Sequence, residues 1–94
     1  MTTKLTKRFE VVRHPRFQRD VARRRGDSPG LEDALRGFEV VISALADYGY
    51  TVADTYSYRL WPIHPPGGSF KIIYKIRGHK VILLALYPVP SSVF

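Results

Sequence analysis

Hydrophobic residues recur along this 94-residue chain with two different periods, and the change of period marks out its elements. Leu31, Leu35, Phe38, Ile42 and Leu45 are spaced by 4, 3, 4 and 3 residues, which puts them on one stripe of an α-helix. Ser28 is placed to cap that helix, Pro29 to be its first residue and Gly49 to end it. Upstream, PRFQRDVARRR carries Phe17 and Val21 on one narrow apolar stripe and is basic elsewhere. It predicts a shorter helix opened by Pro15, with Arg23, Arg24 and Arg25 complementing the dipole at its last turn. Gly26-Asp27-Ser28-Pro29 separates the two, so they read as a helical hairpin.

The other segments alternate with a period of two. RFEVVR (8–13) predicts a strand rich in β-branched residues. YSYRLW (56–61) sets Tyr56, Tyr58 and Leu60 against Ser57, Arg59 and Trp61, and PIHPPGG (62–68) is a loop. In FKIIYKIR (70–77), Phe70, Ile72, Tyr74 and Ile76 take one face while Lys71, Ile73, Lys75 and Arg77 take the other. Gly78-His79 is a tight turn into KVILLALY (80–87), the most apolar strand and therefore a central one, which Pro88 and Pro90 stop. The order β-α-α-β-β-β predicts one α+β domain over residues 1–94, with residues 1–7 a flexible tail. Its architecture is a small, mostly antiparallel sheet with the helical hairpin on one face. A two-residue turn at Gly78-His79 would set Phe70 opposite Tyr87 and Lys71 opposite Leu86. Tyr87 would then lie on the uncharged face, and a bulge, or looseness at the strand end before Pro88, would be needed to bring it beside Lys71.

Charge changes this picture more than composition does. The hydrophobic fraction of 45% is ordinary, and the absence of cysteine excludes a disulfide framework and thiolate metal sites. The N-terminus lacks the apolar run of a signal peptide, and no stretch reaches membrane-spanning length; a cytoplasmic location with no membrane partner is expected. Residues 1–26 carry +7, residues 27–54 carry −5 and residues 55–94 carry +5, so the net +7 belongs to the two ends. If the ends meet in space they form one cationic surface suited to a polyanion or an acidic protein.

SFKIIYKIRGHKVILLALYP, together with the element order and the opening FEVVRHPRFQRDVARR, resembles the RelE/ParE superfamily of toxins from bacterial type II toxin–antitoxin systems. Lys71 stands where that family usually has Arg, and Tyr74 where it has Tyr. The resemblance implies either a RelE-like, ribosome-dependent mRNA endonuclease that acts without metal, or a ParE-like inhibitor of DNA gyrase. It implies a cognate acidic antitoxin as partner, with the ribosome and mRNA, or alternatively gyrase, as target. No cofactor is expected. The chain departs from the nuclease pattern at its end, where Leu86-Tyr87-Pro88-Val89-Pro90 replaces a terminal His/Arg grouping and no His or Arg follows Lys80. A degenerate member that only binds an antitoxin, or a small basic nucleic-acid-binding module, are the other readings.

Metal-free RNA cleavage needs a proton acceptor for the 2′-hydroxyl, positive charge for the phosphate and a proton donor for the leaving oxygen. The candidates for this work are Lys71, Lys75, Tyr87, Arg59 and His64. Lys71 and Lys75 are roughly 13 Å apart by strand rise, so only neighbouring phosphates could be shared between them. Arg77, Lys80, Arg16, Arg19, Arg23, Arg24 and Arg25 are candidates for sequence-blind contact with RNA phosphates. Each has a plainer explanation as well: a wet strand face, a solvated helix, a loop or turn histidine, a rim aromatic. Trp61 and the run Tyr48, Tyr50, Tyr56 and Tyr58 are candidate stacking platforms on the same terms. Three scattered histidines and no cysteine argue against a metal site, and no phosphate loop or Ser/His/Asp triad is present.

Overall fold

The computed structural model describes residues 6–52 and 55–90, with side chains outside 52–57. The elements run β1 (Glu10–Arg13), α1 (Pro15–Arg24), α2 (Leu31–Leu45), a 3₁₀ turn (Ala46–Tyr48), β2 (Tyr50–Val52), β3 (Thr55–Ile63), β4 (Ser69–Arg77) and β5 (Lys80–Val89). They form one five-stranded sheet of order β1-β5-β4-β3-β2. β1 runs parallel to β5 and every other neighbouring pair is antiparallel. The fold is α+β with a mixed sheet and both helices on one face. The short edge strand β2 is an addition to the expected elements. It follows directly after Gly49, and its three residues are too few to show an alternation. Residues 1–5 of the expected tail lie outside the described residues.

Helix α1 opens as its sequence dictates. Pro15 is at the first helical position, and His14 caps it, its Nδ1 accepting from the Arg16 N–H at 3.1 Å. Phe17 and Val21 are its buried residues. Helix α2 starts later than Ser28-Pro29 implies. Gly30 is its N-cap, with no side-chain cap, and the Ser28 backbone carbonyl instead accepts from Leu31 N–H. The Ser28 hydroxyl is buried without a partner. A Cβ on Gly30 would press on Pro66, so the cap position is taken by the one residue that lets the 64–68 loop lie against it.

The core lies between the helices and the sheet. Leu31, Leu35, Phe38 and Ile42 meet Phe70, Ile72 and Tyr74 of β4 and Val81, Leu83 and Leu86 of β5. β4, rather than the more apolar β5, is the middle strand, although β5 is interior. Tyr74 is fully buried, and its hydroxyl donates to the Ala46 carbonyl at 2.6 Å.

The β4–β5 hairpin closes through the expected Gly78-His79 turn, with Gly78 at φ 61° and Arg77 opposite Lys80. The register then departs from the simple expectation. Tyr74 pairs with Leu83 but Ile73 pairs with Ala85, so Leu84 is an extra residue on β5. Beyond this bulge every β5 side chain changes face. Val81 and Leu83 point to the core before it, Leu86 after it, and Tyr87 stands opposite Lys71. Pro88 does not stop the strand, which runs to Val89. β1 leaves β5 at Leu83, so the later edge of β5 is unpaired by strand, and the Leu86 N–H on that edge donates to Asp20 Oδ2 at 3.1 Å. Two residues on, the N–H that Pro88 lacks would point to the same open edge, where no ladder bond is lost.

Candidate functional site

The bulge and helix α1 together build a cluster at one end of the sheet. Tyr87 lies opposite Lys71, whose Nζ is 5.8 Å from the centre of the tyrosine ring. Arg16, in the first turn of α1, reaches the same residue from the side. Its Nη2 donates to the Tyr87 hydroxyl at 2.6 Å, and its guanidinium carbon is 5.8 Å from the ring centre. The two basic ends of the chain therefore meet here, with the phenol between an ammonium and a guanidinium. Because Tyr87 accepts from Arg16, its own O–H proton remains available for a further acceptor.

Beside this cluster a cleft of about 540 Å³ opens between α1 and the end of β5. Arg16, Arg19, Arg23 and Arg24 line one side, and Leu86, Tyr87 and Pro88 the other. Asp20 is the one acidic residue in its lining and is mostly committed, accepting from Leu86 N–H and lying 3.8 Å from Arg23. Arg19 and Arg24 have no carboxylate partner among the described residues.

His64 follows the last residue pair of β3 and β4, and its Nδ1 is 3.0 Å from Ser69 Oγ. Ser69 shares the face of Lys71, two residues earlier on β4, so His64 stands roughly one pleat repeat, about 7 Å, beyond Lys71. Lys75 is on the same open face, opposite Ile82 and Tyr58, in the middle of the sheet rather than in the cluster.

Other candidates are placed elsewhere. Arg59 pairs with Tyr74 and so faces the helices, away from Lys71; its Nη1 donates to the carbonyls of Asp47 at 2.9 Å and Gly49 at 3.1 Å, capping the turn after α2. Arg59 is thus a fold residue, and a position in the Lys71 cluster is ruled out by its face. Arg77 and Lys80 occupy the hairpin tip, roughly 20 Å along β4 from Lys71. Arg25 turns back to Glu32 at 3.3 Å. Of the aromatic candidates, Trp61 packs edge-on against Phe38 inside the fold. Tyr48 and Tyr50 are exposed at the far side of the sheet, and the Tyr56 side chain lies outside the described residues.

The acidic middle of the chain is largely used internally. Glu39 holds Arg13 at 2.7 Å, Glu32 holds Arg25, and Asp47 lies 3.5 Å from Arg8. Among the described residues this leaves the Arg16–Tyr87–Lys71 cluster and the arginine cleft as an uncompensated cationic region. Such an arrangement can hold phosphate groups by charge and by guanidinium forks, and can offer a phenolic proton beside them. Asp20 and Ser69, which orient parts of this region, carry no local signal in the sequence. Asp20 reads as an ordinary helix-surface acid, and only the unpaired edge of β5 gives it a partner.

No helix among the described residues is long and apolar enough to cross a membrane. No family model, curated protein or solved structure matches the chain.

Proposed function

We propose that the chain is the toxin component of a type II toxin–antitoxin module, a RelE-like endonuclease that cleaves mRNA on the ribosome without a metal. The observation that carries this reading is the juxtaposition of Lys71 and Tyr87 on the open face, with Arg16 bonded to the Tyr87 hydroxyl. On this reading Lys71 and Arg16 hold the scissile phosphate and offset the charge that accumulates on it. Tyr87 donates its proton to the leaving 5′ oxygen, and His64, at the margin of the same face, is the side chain placed to accept the 2′-hydroxyl proton. The basic surface at the chain ends supports engagement of ribosome-bound RNA, and an acidic antitoxin segment is the partner that would neutralise it.

The test is expression in growing bacteria with primer extension on translated messages. Growth arrest with cuts inside messages is expected, and Lys71→Ala and Tyr87→Phe should each lower cleavage by 10²-fold or more. Arrest with intact messages would overturn the nuclease reading. The run Leu86-Tyr87-Pro88-Val89-Pro90, which stands where a nuclease of this kind would carry a His/Arg grouping, favours one second reading, a member of the same kind that inhibits DNA gyrase or only binds an antitoxin. A supercoiling assay separates it: loss of gyrase activity with RNA intact belongs to that reading alone.

A further inference from the structure

The cleft between α1 and the end of β5 is larger than the proposed chemistry at Lys71 and Tyr87 requires. Arg16, Arg19 and Arg23 follow one another at steps of 3 and 4, a single helical stripe about 10 Å long. Arg24 closes the cleft from its half-buried position, and Asp20 is tied to the Leu86 backbone and lies against Arg23. Among the described residues, four arginines and one carboxylate leave three uncompensated charges around about 540 Å³, a volume in the range of small-ligand sites. Arg16 and Tyr87, bonded to one another, are the residues the cleft shares with the Lys71 cluster.

We infer that this cleft is a second phosphate subsite, which takes a phosphate group adjacent to the one held at Lys71 and Tyr87. The inference rests on the proposed function only for the identity of the first phosphate; the cleft's own ligand chemistry is a pair of neighbouring phosphates. Arg16 lies between the two positions, so its fork bridges them. Arg19 and Arg24 supply the charge for the outer group and are not consumed by any ion pair among the described residues. Neighbouring phosphates come either from consecutive phosphodiesters of single-stranded RNA or from the diphosphate of a free nucleotide.

Fluorescence anisotropy of a labelled six-residue oligoribonucleotide, with inorganic pyrophosphate and ADP as competitors, tests this without ribosomes or cleavage. The double variant Arg19→Gln/Arg24→Gln should weaken oligonucleotide binding at least tenfold and lower the slope of log K against log salt by about 1.4, the loss of two single-strand contacts. Lys7→Gln/Arg36→Gln removes the same formal charge on the far side of α2 and should change affinity less than threefold. Competition by pyrophosphate and ADP that vanishes in the cleft variant supports the site with a free nucleotide as ligand. Oligonucleotide binding that needs Arg19 and Arg24 but resists both competitors supports it with RNA as ligand. Equal weakening by both double variants, or affinity and salt slope unchanged by Arg19→Gln/Arg24→Gln, would overturn it. Arg19→Gln alone, at an exposed position, provides the same readout at about half the slope change if the double variant does not fold. Absence of message cleavage by the wild-type chain, with the subsite binding intact, would overturn the nuclease reading and leave the cleft standing.

Discussion

Tyr74 and Gly49 show how a single contact limits what a residue can be. A Cβ on Gly49 would fall on the Tyr74 hydroxyl, and the ring has no room to retreat because it is fully buried. Gly49→Ala should therefore destabilise the fold by about 1–3 kcal/mol in urea denaturation. Its cost should be smaller in a Tyr74→Phe background, where the nearest obstructing atom is gone. Burial also raises the Tyr74 pKa from its ordinary 10.0 to about 12, against the opposing influence of Arg59. The folded chain holds this proton more tightly than the unfolded chain, so the stability linked to it is complete below about pH 10. It is lost as pH rises from about 10 to about 12, by up to roughly 2–3 kcal/mol. Melting curves across that window should fall more steeply for the wild-type chain than for Tyr74→Phe. Equal slopes would show that Tyr74 does not control the alkaline limit.

At the scale of the element, the decisive feature is the bulge at Leu84. The alternation in FKIIYKIR and the Gly78-His79 turn are both legible in the sequence, and each is present as read. Extending that alternation through KVILLALY, however, puts Tyr87 on the wrong face. The extra residue carries no glycine or proline to mark it, because the run Ile82-Leu83-Leu84-Ala85 is apolar on both parities. Removing Leu84 takes out the extra residue, so an unbroken ladder should still set Ile73 opposite Ala85 and Tyr87 opposite Lys71. The expected outcome is that the Arg16–Tyr87 bond survives, visible as an unchanged Tyr87 hydroxyl environment in NMR, with message cleavage kept well above the level of Tyr87→Phe. Cleavage reduced to that level in the deletion would show that Tyr87 depends on the bulge itself and not on its pairing with Lys71. α1 is held to the same strand end by Asp20. Asp20→Ala leaves the Leu86 N–H without its partner and should cost about 1–3 kcal/mol in chemical denaturation, whereas Asp20→Asn, which keeps an acceptor oxygen, should cost less.

For the whole molecule, the segmental charge of the chain becomes a surface because the two basic ends fold against one another. α1 packs along β5 and brings Arg16 to Tyr87, while the acidic middle is engaged by Arg8, Arg13 and Arg25. Affinity for single-stranded RNA should consequently be insensitive to base order and fall steadily with salt. Two unrelated oligonucleotides of equal length should bind within about threefold of each other in anisotropy titrations. A preference above tenfold would instead point to base readout, for which the exposed aromatics at the far side of the sheet are the available side chains.

The one-dimensional pattern determined the α+β class, the two helices, four of the five strands and the cationic bias of the two ends. These follow from local periodicity and composition, which a single chain carries openly. Side-chain proximity across strands was decided only by the tertiary structure. A one-residue change in register moved Tyr87 to Lys71, and an unpaired strand edge engaged Asp20 and admitted α1. Arg59 was drawn to the carbonyls after α2, because parity in β3 sets its face and a helix end offers it acceptors there. Pairing, register and capping depend on contacts between residues far apart in the chain, and such contacts leave no period for the sequence to display.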